Sequence, residues 1–173
     1  MITAVVDTNI LAAGFVRSNP NAAPALLLDT WLANALRLVV SDYILSELAD
    51  VLTRPYFARR LSPAQAATNL PAVRSLATLV ALPETISAVV ADPDDDAIMA
   101  TATSAPADYL VTGDKKLLDL GSYQEVTILT ARAFLDLLRA AEAAAAAAEE
   151  PHATTGQTST DEVPARPEEP SEE

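Results

Sequence analysis

The 173-residue sequence contains no cysteine and a single histidine, His152. The lack of cysteine excludes disulfide frameworks, thiol nucleophiles and thiolate metal sites. No apolar run reaches the roughly 18 residues that a membrane-spanning helix needs, and the N-terminus lacks a basic segment followed by an apolar core. These absences predict a soluble cytoplasmic protein with no membrane partner.

Basic residues are also scarce, because 11 Lys and Arg stand against 24 Asp and Glu, a net charge of −13. Residues 149–173 hold eight acidic side chains and one Arg, which leaves 16 acidic and 10 basic side chains, a net charge of −6, in residues 1–148. An acidic domain does not attract nucleic acid through a general excess of Lys and Arg. If the protein handles phosphates, cations must help it.

The C-terminal part differs in composition from the rest. Residues 149–173 contain four of the twelve prolines, many like charges and almost no large apolar side chains, which predicts an acidic disordered tail. The segment Ala133–Ala148 predicts a helix that ends in an Ala-rich run. We expect one folded domain in residues 1–140, followed in residues 141–173 by the Ala-rich helix end and the tail.

Within that domain, apolar runs rich in Val and Ile alternate with segments of helical period, which is typical of an α/β domain with a mostly parallel sheet. The predicted strands are Thr3–Val6, Leu36–Val40, Leu79–Leu82, Tyr109–Val111 and Val126–Leu129. The predicted helices between them are Ala22–Ala35, Asp42–Thr53, Pro63–Thr78 with an interruption at Pro71, and Asp94–Ser104.

Two of the predicted strands end in carboxylates. Asp7 follows the first strand, and Asp114 follows the strand Tyr109–Val111 after Gly113, which would allow a tight turn. Ligands of open α/β sheets bind beyond the carboxyl ends of the strands, where both side chains are expected. The alternative is that each Asp simply caps the helix that follows it.

A third acidic residue, Glu47, lies on the predicted helix Asp42–Thr53. At about 100° per residue it projects roughly 40° outside Val51, at the edge of the buried stripe, whereas Asp42 and Asp50 fall on the far face. Glu47 is therefore a candidate site residue. The alternative is a boundary residue whose stem packs and whose head is solvated.

The densest acidic cluster is Asp92-Pro93-Asp94-Asp95-Asp96. A capping Asp92 and acidic residues in the first helical turn explain one or two of these carboxylates. The helical phase predicts that Asp95 points inward and Asp96 into solvent. Asp94 also falls near the apolar stripe, so the choice of Asp95 as the inward carboxylate is a preference and not a deduction.

These carboxylates, Asp7, Glu47, Asp95 and Asp114, could converge at one edge of the sheet, where they would repel one another. A divalent cation relieves such repulsion, and ligation by oxygen alone favours Mg²⁺ or Mn²⁺ over Zn²⁺. An acidic pocket with hard cations suits phosphate esters, because the metal can activate water and stabilise the leaving oxygen. The pattern therefore predicts metal-assisted phosphodiester hydrolysis.

The motifs VVDTNILAAGF, SDYILSELADVLTRP, DPDDDAIMATA and DYLVTGDKKLL occur in this order, and together they resemble the PIN (PilT N-terminus) domain ribonucleases, in particular the VapC-like toxins of toxin–antitoxin systems. The resemblance covers about residues 1–140. It implies a three-layer α/β/α sandwich with a mostly parallel sheet. It also implies an endoribonuclease dependent on Mg²⁺ or Mn²⁺ and acting as the toxin of such a pair.

Carried onto this sequence, the resemblance implies three groups of site residues. The catalytic and metal-ligating carboxylates are Asp7, Glu47, Asp95 and Asp114. The supporting residues are Asn9, Asp92 and Thr112. The candidate RNA contacts are Arg54, Arg59, Arg60, Lys115 and Lys116, whose alternative is an ordinary solvated surface. The implied partners are an RNA substrate, a cognate antitoxin and a second copy of the chain.

Two other functions fit parts of the pattern. A Mg²⁺-dependent phosphotransferase or phosphatase of the haloacid dehalogenase or response-regulator type also places Asp at strand ends. The former needs a second Asp where this sequence has Asn9, and the latter has adjacent acidic residues where this sequence has Thr8. A non-catalytic PIN-like module that binds RNA or protein is the other alternative, against which the presence of all four carboxylates argues.

Overall fold

The computed structural model describes residues 1–86, 89, 92–105 and 107–149. Within these residues the chain forms a six-stranded sheet of order β3-β2-β1-β4-β6-β5, in which β5 alone runs antiparallel to its neighbour. The strands are β1 (Thr3–Val6), β2 (Arg37–Ser41), β3 (Thr78–Val80), β4 (Tyr109–Val111), β5 (Ser122–Tyr123) and β6 (Val126–Leu129).

Eight helices accompany the sheet in the same described residues. They are α1 (Thr8–Val16), α2 (Ala23–Leu32), α3 (Asp42–Thr53), α4 (Pro55–Ala58), α5 (Pro63–Leu76), α6 (Pro93–Ser104), α7 (Lys115–Leu120) and α8 (Ala131–Glu149). None of these helices is both long and apolar enough to cross a membrane.

The order of the strands separates the helices into two layers. From β1 through β2 to β3 the chain moves towards one edge of the sheet, and then β4 returns to the other side of β1. Right-handed crossovers place the helices of these two halves on opposite faces of the sheet. In agreement, α1 packs on α2 and α3, while α6 packs on β1, β2 and β4. The predicted α/β/α sandwich with a mostly parallel sheet is confirmed.

The centre of the sheet forms the core. In β1, Val5 pairs in register with Val39 of β2 and Leu110 of β4, and these three side chains are at most 1 % exposed. Phe134 of α8 is fully buried and packs its ring against Tyr109, with 5.3 Å between the ring centroids. Their burial makes the sheet a rigid support for the residues that follow each strand.

Several elements differ from the sequence prediction; the third strand, for example, is Thr78–Val80 rather than Leu79–Leu82. The helix α5 continues through Pro71 rather than breaking there, because its start is stabilised by a capping box of Ser62 and Gln65 and its later part by the buried Val73. The two-residue strand β5 was not predicted. The acidic tail predicted for residues 149–173 lies outside the described residues, except for Glu149 at the end of α8.

Candidate active site

Asp7 lies at the carboxyl end of β1, directly beside the end of β4, where the order of the strands reverses. Its side chain is only 5 % exposed. Oδ1 accepts a hydrogen bond from the backbone N–H of Asn9 at 2.8 Å, and Oδ2 accepts one from the hydroxyl of Thr112 at 2.7 Å. Asp7 therefore caps α1 and is also a buried carboxylate at the point where open α/β sheets bind ligands.

Thr112 connects Asp7 with Asp114. The hydroxyl of Thr112 accepts a hydrogen bond from the backbone N–H of Asp114 at 3.0 Å while it donates to Asp7. The Asp114 side chain caps α7, because Oδ1 accepts from the backbone N–H groups of Lys116 and Leu117 at 2.7 and 3.3 Å. The strand ends of β1 and β4 are thus joined by one chain of hydrogen bonds.

The tight turn expected at Gly113 is not formed with a left-handed backbone. Of the glycines in the described part of the chain, Gly121 is the one with positive φ. A Cβ built on Gly113 would meet Ile10 Cδ1 at an ordinary 3.7 Å. Asp114 is therefore positioned by the Thr112 hydroxyl rather than by the conformational freedom of glycine.

Glu47 lies on α3, half-buried beside α1. Burial raises the pKa of its carboxyl, and the neighbouring Asp7 and Asp94 raise it further, whereas Thr8 and Arg54 lower it. Oε2 of Glu47 and the hydroxyl oxygen of Thr8 are buried, and neither has a well-formed hydrogen bond among the described residues. The Thr8 hydroxyl thus acts on the Glu47 carboxyl from α1.

Asp95 belongs to the first turn of α6 and is half-buried. Burial raises the pKa of its carboxyl, the negative charges of Asp114, Asp92 and Asp7 raise it further, and Lys116 lowers it. Asp7 and Asp114, which follow the ends of β1 and β4, are thus close enough to Asp95 to act on its charge. Asp7 therefore acts electrostatically on both Glu47 and Asp95, and Asp114 acts on Asp95.

The prediction that Asp96 points into solvent is wrong. Asp96 is 8 % exposed, and its Oδ1 accepts a hydrogen bond from the backbone N–H of Val89 at 2.7 Å. The backbone of Val89 therefore lies over this side of the helix, which the helical phase assigns to solvent. Asp94 instead accepts a hydrogen bond from the hydroxyl of Tyr43, whereas Asp95 is the carboxylate on which Asp114 and Asp7 act.

Among the supporting residues, Asn9 contributes its backbone N–H to Asp7. Asp92 caps α6 by accepting from the Asp94 N–H at 3.1 Å. Its Oδ2 also lies 3.8 Å from Nζ of Lys116, which is one of the candidate RNA contacts. Asp92 therefore joins the N-terminus of α6 to α7 through an ion pair with Lys116.

The remaining basic candidates lie in different settings. Arg54 shares a pocket of about 240 Å³ with Glu47, Tyr43 and Asp94. The guanidinium of Arg60 lies 4.0 Å from the ring centroid of the exposed Tyr56 and donates to the Tyr56 carbonyl at 2.9 Å. The other two, Arg59 and Lys115, are exposed. Of these candidates, Arg54 and Lys116 act electrostatically on the acidic site itself.

Sequence reasoning missed Tyr43, which lines the pocket next to Glu47. Its spacing of four residues from Glu47 on one helix places both side chains on the same face, and this signal was available. Its bond to Asp94 was not, because the two residues are far apart in the sequence.

The donor set suits a hard divalent cation. Every candidate ligand atom is a carboxylate oxygen, the donor type that such cations prefer. Asp7 is buried, and one oxygen of Glu47 has no hydrogen-bond partner among the described residues. In the described residues, no three or more Asp or Glu side chains already form a ready metal-binding group. The fit thus rests on donor chemistry, burial and the mutual repulsion of the carboxylates.

Comparisons with solved structures find similar folds. The crystal structure of VapBC2 from Rickettsia felis, bound to a DNA fragment from their promoter, is 16 % identical; the match covers 73 % of this chain and 97 % of that one, with a TM-score of 0.48. The crystal structure of FitAcB from Neisseria gonorrhoeae is 17 % identical, with 74 % and 97 % covered and a TM-score of 0.49. A comparison with curated proteins finds no match.

A family model described as the PIN domain matches residues 3–116, which include all four carboxylates. This range begins with β1 and ends in α7, so it spans every element that carries a candidate site residue. The chain therefore belongs to the PIN domain family.

Proposed function

We propose that this protein is an endoribonuclease that hydrolyses RNA phosphodiester bonds with Mg²⁺ or Mn²⁺. One observation carries the proposal: burial and the charges of carboxylates on separate elements raise the pKa values of Asp95 and Glu47. Asp114 and Asp7 raise the pKa of Asp95, and Asp7 raises that of Glu47. Folded proteins are only marginally stable, so they tolerate such repulsion between carboxylates where a bound cation offsets it.

The proposed ligands are Asp7, Asp95 and Asp114, with Glu47 as a ligand directly or through water. When bound, the divalent cation supplies the charge that activates water and stabilises the leaving oxygen. The chain's own residues orient the donors. Thr112 holds one oxygen of Asp7 and the Asn9 N–H holds the other, so this carboxylate cannot rotate freely.

The first proposed contact with RNA is made by Arg54, beside Glu47. Arg54 lies in the same pocket as Glu47 and provides a positive charge there. Further cationic contacts are proposed for Arg59, Arg60, Lys115 and Lys116 on the exposed surface. Because residues 1–148 carry a net charge of −6, these few cations concentrate phosphate attraction near the site rather than over the whole surface.

We also propose, from the resemblance of the four motifs to VapC-like toxins, that the protein is the toxin of a toxin–antitoxin pair. The proposed partners are a cognate antitoxin and a second copy of the chain. The domain proposed to carry the activity is residues 1–140, and no activity is proposed for residues 141–173.

Incubation of the purified protein with a mixed, structured RNA pool in Mn²⁺, Mg²⁺ or EDTA tests the nuclease proposal. Asp7→Asn serves as the control for contaminating nuclease, and Asp119→Asn, an exposed carboxylate on α7, as the matched neutral variant. We expect metal-dependent cleavage by the wild type and by Asp119→Asn, with none by Asp7→Asn. Equal cleavage by Asp7→Asn, or no cleavage with either metal, contradicts the proposal and favours a binding module.

A further inference from the structure

The first turns of α3 and α6 are joined by a short side-chain hydrogen bond. The hydroxyl of Tyr43 donates to Oδ1 of Asp94 at 2.5 Å, across 51 residues of sequence. This length is typical of a hydroxyl bonded to an ionised carboxylate, which is among the stronger hydrogen bonds of proteins. The bond is thus a specific contact between two helices that are distant in sequence.

Both residues of this hydrogen bond, Tyr43 and Asp94, are close in sequence to a proposed metal ligand. On α3, Tyr43 and Glu47 are four residues apart and therefore lie on one face, one turn from each other. On α6, Asp94 directly precedes Asp95. A buried hydrogen bond of 2.9 Å between the hydroxyls of Ser41, the N-cap of α3, and Thr101 of α6 also joins these elements. Two such hydrogen bonds fix how far α6 can rotate or slide against α3.

The opposite side of the α6 N-terminus is held by Asp92. This residue accepts from the Asp94 N–H and lies 3.8 Å from Lys116 Nζ of α7. The first turn of α6, which carries Asp95, is therefore joined to α3 by the hydrogen bond between Asp94 and Tyr43. It is joined to α7 by the ion pair between Asp92 and Lys116. Of these two contacts, the Tyr43 hydrogen bond is the shorter.

The surroundings of Tyr43 favour its protonated, hydrogen-donating form. Burial raises the pKa of its hydroxyl, and the hydrogen bond to Asp94 and the charges of Asp94, Glu47 and Asp92 raise it further. The hydroxyl also occupies an oxygen of Asp94 that would otherwise compete with Asp95 for a cation.

We propose that Tyr43 is a positioning residue of the cation site: its bond to Asp94 fixes the first turn of α6, which carries Asp95, relative to Glu47 on α3 and keeps Asp94 out of the ligand set. This inference rests on the proposed function, since it concerns the same site. Groups that orient metal ligands without touching the metal typically contribute about 10- to 100-fold to metal affinity. Tyr43 acts through Asp94 and the backbone, so we expect the lower end, about 10-fold.

Mn²⁺ affinity of the full chain, measured by electron paramagnetic resonance of free Mn²⁺, tests the inference. Tyr43→Phe removes the hydroxyl alone, and Tyr123→Phe on the edge strand β5 is the matched control. We expect Tyr43→Phe to raise the Kd for Mn²⁺ about 10-fold and Tyr123→Phe to leave it unchanged. A Tyr43→Phe protein that melts at a lower temperature but keeps the wild-type Kd would show a purely structural role and overturn the inference.

A double-mutant comparison tests whether the effect passes through Asp94. Asp94→Asn and Asp94→Ala both remove the charge, but Asp94→Asn keeps an oxygen that can accept from Tyr43. We expect Tyr43→Phe to weaken Mn²⁺ binding in the Asp94→Asn background and to have no further effect in the Asp94→Ala background. Equal effects in both backgrounds contradict a role through this bond.

The failure of this inference is distinguishable from failure of the proposed function. Asp7→Asn in the same assay reports on the cation site itself. If Asp7→Asn loses Mn²⁺ and Tyr43→Phe does not, the site stands and the role of Tyr43 is wrong. If neither changes Mn²⁺ binding, the proposed cation site itself is wrong.

Discussion

Thr112 donates its hydroxyl to Asp7 at 2.7 Å across the ends of two neighbouring parallel strands. The same oxygen accepts from the backbone of Asp114 at 3.0 Å, so Thr112 acts as donor and acceptor at once. Because Thr112 is fully buried, these bonds are shielded from water and set the distance between two proposed ligands.

Replacement of Thr112 by Val is expected to weaken the site while it preserves the side-chain shape. The change leaves the Asp114 N–H without its acceptor and one Asp7 oxygen without its donor, which costs about 1–3 kcal/mol of stability. We expect Mn²⁺ affinity to fall about 10- to 100-fold, as measured by calorimetric titration. Thr112→Ser, which retains the hydroxyl, is the control, and an equal loss in both variants would argue that the methyl group matters and the hydroxyl does not.

Asp95→Asn is expected to make the metal-free protein more stable. Burial and the charges of Asp114, Asp92 and Asp7 disfavour the ionised form of Asp95, so the neutral amide relieves that penalty. Each kcal/mol gained raises Tm by about 2–4 °C for a chain of this size. Thermal melts in EDTA test this, with Asp119→Asn as the control. A lower Tm for Asp95→Asn than for the wild type would contradict the account of the repulsion.

The pH dependence of stability follows from the same two carboxyls. The pKa values of Glu47 and Asp95 are raised in the folded protein above their ordinary values of 4.5 and 3.8. The folded state therefore holds more protons than the unfolded chain in the window above those values, and the contribution of these groups to stability falls as pH rises through it.

Denaturant unfolding of the metal-free protein between pH 4 and pH 7 measures this contribution. The informative quantity is the difference between the wild type and Asp95→Asn, since other titrating groups cancel in it. We expect the advantage of Asp95→Asn to grow as pH rises. A difference that is constant over this range would show that Asp95 titrates at its ordinary pKa.

Arg54 is expected to contribute to RNA binding through a phosphate contact. Removal of one such contact lowers the slope of log affinity against log salt concentration by about 0.7 for a single strand. Filter binding of RNA by Arg54→Ala at several salt concentrations, in EDTA to prevent cleavage, measures the slope. Arg139→Ala on α8, whose guanidinium pairs with Asp136 within its own helix, is the matched control, and equal slopes for the two variants would remove Arg54 from the RNA contacts.

Much of the fold was predictable from sequence because its central strands are short apolar runs with clear ends. The strands Thr3–Val6, Tyr109–Val111 and Val126–Leu129 have the predicted bounds, and each is followed by polar residues. The strand Ser122–Tyr123 could not be predicted, because two residues carry no periodicity and pairing with Val126 and Thr127 defines the strand.

The candidate site was predictable where a residue's position depends on its own element. Asp7 and Asp114 follow strands, and Asp95 follows the phase of its helix. Asp96 was misplaced because its surroundings come from Val89 rather than from the helix. The Tyr43 contact was missed for the same reason, since the bond to Asp94 depends on how two helices pack.

Calorimetric titration of the metal-free protein with Mn²⁺ at neutral pH, for the wild type and for Asp95→Asn, tests the central claim most directly. If the converging carboxylates hold a divalent cation, the wild type binds Mn²⁺ and Asp95→Asn binds it at least about 100-fold more weakly, at or beyond the upper end of what loss of an orienting group costs. Binding of equal strength by both proteins, or no binding by the wild type, would contradict the claim.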